Sequence, residues 1–277
     1  FGSTLIGDNY AHSKANAKAF ETLGIRAVVS ERVHDMVFQK LASGVYEKDE
    51  ALGNELFEKN MELFEKYPDK NGLITPCLGP HAPDTCSKEL LLRIADMAQK
   101  YQVPITTHLA QSQQELDRVQ EVYGVSSTKL MRECGLLNDR LLAAHGVFLK
   151  ETDISELAKA KANIVHIPEG NAKAGSIADI KNIKKKGINV TIATDNGAAN
   201  MIENMRMALV AGRIRNHCIA EPKPQEMLTM ATVNGALALH MKDRIGSLEE
   251  GKLADIVIVD YDNLHMTPCT NVVGNLV

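Results

Sequence analysis

Four side chains that can bind a metal or move a proton close successive short apolar runs. His108 follows VPITT, His145 follows LLAA, His166 follows NIV, and Asp195 follows VTIAT. A fifth, His81, comes after the run at Leu73 in the turn Gly79-Pro80-His81. Imidazole and carboxylate are donors that zinc or ferrous iron accepts, and a hydrolytic centre keeps one position open for water. One strand-end histidine is ordinarily a hydrogen-bonded structural residue, but such groups on four successive strand ends are expected to face one shallow cavity. His108 and Asp195 could supply two ligands. Two hold a catalytic metal poorly, and no H-x-H or H-E-x-x-H occurs in the sequence.

In the stretch HLAQSQQE, opening at His108, no acid of the kind a hydrolytic site uses to move protons stands beside the histidine. Glutamine stands at 111, 113 and 114, and the first acid is Glu115. Glu115 is two helical turns past His108, so the expectation for it is a solvated helix acid rather than a proton donor.

The elements that must carry these groups alternate. Apolar, β-branched runs recur at Ile25 to Val29, Leu73 to Thr75, Val103 to Thr107, Leu141 to Ala144, Asn163 to Ile167 and Val190 to Ala193, with an opening strand near Ser3 to Gly7. Between them lie segments of helical spacing, such as Leu90, Leu91, Ile94 and Met97, or Ile154 and Leu157. Strand-helix alternation predicts a parallel α/β sheet whose functional groups collect at the carboxyl ends of the strands. A closed barrel of this kind has eight strands. About seven are legible here, so one is expected upstream of Phe1, with residues 1–245 forming the barrel. From Gly246 the text GSLEEGKLADIVIVDYD predicts a strand of a different, antiparallel element spanning 246–277.

Composition narrows the partners. The chain has 277 residues, 44% of them hydrophobic, and a net charge of −4 without long runs of one sign, which gives no electrostatic case for nucleic acid or an anionic membrane. The densest basic run, Lys184-Lys185-Lys186, reads as a solvated helix end. Cysteines 77, 86, 134, 218 and 269 are odd in number and form no CxxC pair, which fits a reducing cytoplasm rather than a disulfide framework. No apolar run approaches the ~20 residues of a membrane-spanning helix. A small molecule is the expected partner.

HLAQS, AAHGVFL, HIPEGNAKAGS, TIATDNGAANM, ATVNGALAL and IGSLEEGKLADIVIVD, in this order, resemble the amidohydrolase superfamily, specifically its cytosine deaminase and chlorohydrolase-like branch. That branch includes deaminases of S-adenosylhomocysteine, methylthioadenosine and guanine, and hydrolases of triazines. The resemblance implies a (β/α)8 barrel of TIM type flanked by a small β-sandwich, with one divalent metal ion, Zn2+ or Fe2+, at the barrel mouth. It implies that His108 is a metal ligand, that Asp195 binds the metal and takes the proton of the attacking water, that His145 polarises the group under attack, and that His81 faces the substrate. Dimers are common in that family, so a homodimer is an expectation. The family's first strand carries an H-x-H pair that this sequence lacks, in keeping with the missing strand.

The main departure is Gln111, where deaminases of the branch read H-x-x-E. An amide donates a hydrogen bond but cannot give up a proton. The expected activity is hydrolysis of a C–N bond in a nitrogen heterocycle, first as deamination of a purine- or pterin-like ring. The alternatives are loss of chloride, an alkylamine or an amide from a triazine-like compound, and a non-catalytic relative or inert fragment. Asn196 in TDNG is a subgroup variation, and Asn171 is a candidate to line the pocket. Arg32 is a candidate for gripping a substrate carboxylate, against the plainer expectation of an exposed ion pair.

Overall fold

The computed structural model describes residues 2–69, 72–197 and 199–277. Among the described residues seven strands form: β1 (Leu5–Tyr10), β2 (Arg26–Glu31), β3 (Ile74–Pro76), β4 (Ile105–Leu109), β5 (Leu141–His145), β6 (Asn163–His166) and β7 (Asn189–Ile192). Each coincides with an expected run, and every ladder is parallel. Parallel neighbours need crossover connections, and helices supply them: Ser13–Leu23 between β1 and β2, Lys88–Tyr101 between β3 and β4, and Glu151–Lys159 between β5 and β6.

The ladders run β1-β2-β3 and β4-β5-β6-β7. Pro76 has no N–H to give, so β3 stops after three residues and pairing toward β4 resumes at Leu78. There the Leu78 amide donates to the Pro104 carbonyl at 3.1 Å and the Thr106 amide to the Leu78 carbonyl at 2.9 Å. The two ladders are thereby joined across Leu78 and Ile105. Among the described residues no ladder joins β7 to β1.

Strand alternation sorts the side chains. On β4, Ile105, Thr107 and Leu109 are buried, whereas Thr106 and His108 are half-buried and turn to the opposite face. The buried set packs on helices whose apolar stripes the sequence announced. In Lys88–Tyr101, Leu90, Leu91, Ile94 and Ala98 are buried, Met97 is only partly so, and Ser87 caps the first turn by accepting from the Leu90 amide. One continuous core includes Leu91, Ile94, Ile105, Leu141, Leu157 and Ile164. Each such side chain contributes about 1.5–3 kcal/mol by leaving water, which fixes the strand ends relative to one another.

The strand expected at Ile256 to Val259 does not form among the described residues. Ile256, Val257, Ile258 and Val259 lie in no strand, and Ile258 is 92% exposed. An alternating run becomes a strand only against a partner ladder, and the described residues offer it none. The segment is tethered instead through Asp255, which pairs with Arg26 at 3.1 Å, and the chain closes with a short helix, Val272–Leu276. Among the described residues no helix is long and apolar enough to cross a membrane, and all five cysteines are free.

Candidate active site at the strand ends

His81, His108 and His145 stand in a row. The rings of His81 and His108 lie 4.5 Å apart, and those of His108 and His145 lie 5.3 Å apart and stacked. Each imidazole is tethered through Nδ1. His108 Nδ1 is 2.6 Å from the His81 carbonyl oxygen, which can only accept, so Nδ1 carries the proton and Nε2 keeps its lone pair. His145 Nδ1 likewise donates to Asn171 Oδ1 at 2.9 Å. His81 Nδ1 is 2.7 Å from Thr85 Oγ1, whose own proton goes to the Ala82 carbonyl. A second hydrogen bond that fixes the tautomer and aims the other nitrogen is how metal-binding and polarising histidines are held.

Burial keeps these rings neutral. It is the largest cause of the fall of the His108 pKa to about 4, with the neighbouring His145 adding to it. His81 falls to about 2 from burial and then from His108, and His145 is lowered by burial against the raising effect of Asn171 and Asp195. At neutral pH all three are lone-pair donors rather than cations.

Asp195 completes the row. Its charge is felt at both His108 and His145. The side chain is exposed and its Oδ1 accepts from the Asn196 amide at 2.6 Å. It lies against Gly170, where an added Cβ would come within 3.1 Å of Asp195 Oδ2 and 3.0 Å of Ile167 Cγ2. Asp195 (φ 58°) and His145 (φ 75°) both hold left-handed backbone, a strained conformation of the kind that collects at functional sites. On the other side of the site, Gly79 lets the Gly-Pro-His turn approach β2, because a Cβ there would sit 2.7 Å from the Glu31 carbonyl oxygen.

Three expectations change. His166 does not join the row. It shares the face of β6 that carries the core residue Ile164, and its fully buried ring, with a pKa lowered to about 3 by burial, faces the helix layer. Glu115 is no solvated acid: it is 2% exposed, its Oε1 accepts from the Ala110 amide and its Oε2 from the Gln111 amide, both at 2.9 Å. Two helical turns did separate it from His108, but the chain bends at Ala110 (φ 50°), which returns the 110–111 backbone to the helix start. Burial pushes this carboxyl up to about 7, while the hydrogen bonds from the Gln111 and Ala110 amides oppose the rise. Arg32, finally, is half-buried and forms no ion pair among the described residues; its guanidinium lies 4.7 Å from the Tyr10 ring and 5.0 Å from that of Phe38.

Gln111 is exposed, and Asn171, expected to line the pocket, orients His145. His34 escaped the sequence reading. It is buried, donates from Nδ1 to the Met36 carbonyl at 2.9 Å, and stacks on Phe38 with ring centroids 3.6 Å apart. Its ring lies 6.2 Å from His81. It sits three residues beyond β2, and inspection of the residues a few places past each strand end was the signal that would have found it.

As to a metal, the donor chemistry fits: His108 offers a neutral, oriented imidazole and Asp195 an exposed carboxylate. The number does not suffice, because among the described residues no three His, Cys, Asp or Glu side chains converge on a point that would hold an ion.

Comparison with known proteins bears on the same arrangement. A 5-methylthioadenosine/S-adenosylhomocysteine deaminase of Pyrococcus furiosus is 35% identical over 274 residues, covering 96% of this chain and 62% of the relative. An adenosine deaminase from Xanthomonas campestris, crystallised with bound zinc, superposes with a TM-score of 0.90 at 28% identity, over 99% of this chain and 62% of that one. An atrazine chlorohydrolase from Arthrobacter aurescens, complexed with zinc, superposes with a TM-score of 0.87 at 25% identity, over 99% of this chain and 64% of that one. The chain thus spans about three fifths of the length of the curated relatives it matches. The model of the amidohydrolase family matches residues 2–276, and with strands, strand-end histidines and Asp195 in these places, the chain belongs to that family.

Proposed function

We propose that the full-length protein containing this chain is a metal-dependent hydrolase of a C–N bond in a nitrogen heterocycle, releasing ammonia from a purine-like ring. The observation that carries this reading is the row of three neutral imidazoles, each tethered through Nδ1, beside the carboxylate of Asp195 at the ends of parallel strands. The resemblance to deaminases of adenosine-type compounds supports the substrate class. The reading includes a closed eight-stranded barrel, an H-x-H pair from a strand outside this chain, and residues 246–277 as the start of a second, smaller β element.

A divalent ion, Zn2+ or Fe2+, held by His108, Asp195 and donors outside this chain would lower the pKa of a water to about 7. The side chains supply the rest. Asp195 accepts the proton of the attacking water and returns it to the leaving amine. His145, whose Nδ1 donates to Asn171, can take a proton at Nε2 and then polarise the group under attack through that N–H, and His81 faces the ring. Gln111 can donate a hydrogen bond to a ring nitrogen but not a proton, so a deaminase of this kind needs another proton source at that nitrogen. Glu115 cannot reach that role while both of its oxygens hold the 110–111 backbone.

Gln111 favours a second reading, hydrolysis of chloride, an alkylamine or an amide from a triazine-like ring, where protonation of a ring nitrogen is less demanding. Ammonia and chloride release by the zinc-loaded full-length protein, screened over adenosine-type nucleosides, guanine, pterins and triazines, separates the two. Ammonia from a purine or pterin supports deamination, chloride or alkylamine from a triazine supports the alternative, and turnover of none of them refutes both.

A further inference from the structure

A cavity of about 170 Å³ lies in the helix layer behind β6, away from the row of histidines. Ile177, Ile180, Ala208, Met227 and Met230 give it an apolar wall, and charged side chains stand around its mouth. His166 also lines it, at 2% exposure, and His166 Nδ1 has no hydrogen-bond partner among the described residues. An unanswered buried ring nitrogen has lost its water without a replacement, so a group that answered it would be held there. The space is sufficient, since an apolar cavity of about 150 Å³ takes up benzene.

The rim sets the charge of the occupant. Arg215 faces Asp179 and Lys181 faces Glu221, each at 3.7 Å, and Lys184 pairs with Glu226. Every cation at the mouth therefore has an acid beside it, and neither an anion nor a cation finds an uncompensated partner. The remaining fit is a neutral ring with one polar group. A hydroxyl suits best, because it donates to a lone-pair nitrogen and accepts from an N–H, and so answers either tautomer of His166.

We propose that this cavity is a binding site for a small uncharged aromatic alcohol of the phenol class, distinct from the candidate active site, with the ring among Met227, Met230 and Ala208 and the hydroxyl on His166 Nδ1. The site is independent of the proposed hydrolase activity. Its inner end is nevertheless close to that machinery, because the His166 carbonyl accepts from the Ala193 amide, two residues before Asp195.

Titration of the methyl-labelled protein with phenol and with benzene tests it. The methyl resonances of Met227 and Met230 should shift saturably, with a dissociation constant on the order of 1 mM for phenol. Phenol should bind about three- to tenfold more tightly than benzene, the margin expected of one hydrogen bond. That margin should vanish in His166→Leu, and Ala208→Leu, which fills the space, should abolish both. Shifts that never saturate, equal affinity for the two rings in the wild type, or binding that survives Ala208→Leu in a folded variant would overturn the proposal. If Ala208→Leu does not fold, the wild-type comparison of phenol with benzene decides alone.

Discussion

At the scale of the residue, the site depends on how few atoms surround Asp195. Its carboxylate touches both the electrostatics of His108 and His145 and the bare backbone of Gly170. Asp195→Asn should lower kcat by about 10²–10⁴ while leaving the circular dichroism and Tm unchanged, the loss typical of a proton-transfer group. Near-normal turnover would rule out its proton role. Gly170→Ala should act at one remove: the new Cβ pushes on Asp195 and Ile167, so kcat should fall with little change in Tm, measured side by side on the same preparation. At 111 the sign reverses, and Gln111→Glu should raise ammonia release from a purine-like substrate if the amide is what limits it. His81, His108, His145 and Asp195 were legible because each closes or follows an apolar run. His34 was not, because the turn that brings it beside His81 has no such run to mark it, and the inward or outward face of His166 was decided by strand parity rather than by residue type.

At the scale of the element, the loop between β4 and the helix Gln113–Tyr123 is held by one buried acid. Glu115 takes both amides of Ala110 and Gln111, and so fixes the backbone immediately after His108. The fold favours its protonated form, with a pKa of about 7 against an ordinary 4.5, so the native state holds more proton than the unfolded chain between those values. This contribution is present below pH 4.5 and is lost as pH rises toward 7, by up to about 3 kcal/mol. The buried histidines pull the other way: His108 and His166 stay neutral in the fold and charge only when unfolded below about pH 6.5, so they favour the native state as pH rises toward that value. Urea unfolding of wild type and Glu115→Gln across pH 4–8 separates the two effects. The difference in stability between them should change in favour of the variant as pH rises through this window, and a pH-independent difference would mean that folding leaves the Glu115 pKa unshifted. The seven strands themselves were legible because β-branched runs alternate with helical stripes, a pattern that survives folding. Ile256 to Val259 carry the same alternation without becoming a strand, because pairing is a property of two segments and only one was being read.

At the scale of the whole molecule, parallel strands bring residues from 81 to 195 to one sheet edge, and family membership follows from that order as much as from any single motif. The candidate site was legible where its side chains sit at strand ends, and among the described residues no three donors converge on a point that would hold a metal. The most direct test uses the full-length protein and the best substrate from the screen, with turnover measured after chelation, after readdition of zinc, and in folded Asp195→Asn. Turnover lost on chelation, restored by zinc and lowered at least about a hundredfold in the variant is the expected result; turnover that survives chelation or stays near the wild-type rate in Asp195→Asn would contradict the assignment of a metal-dependent hydrolase.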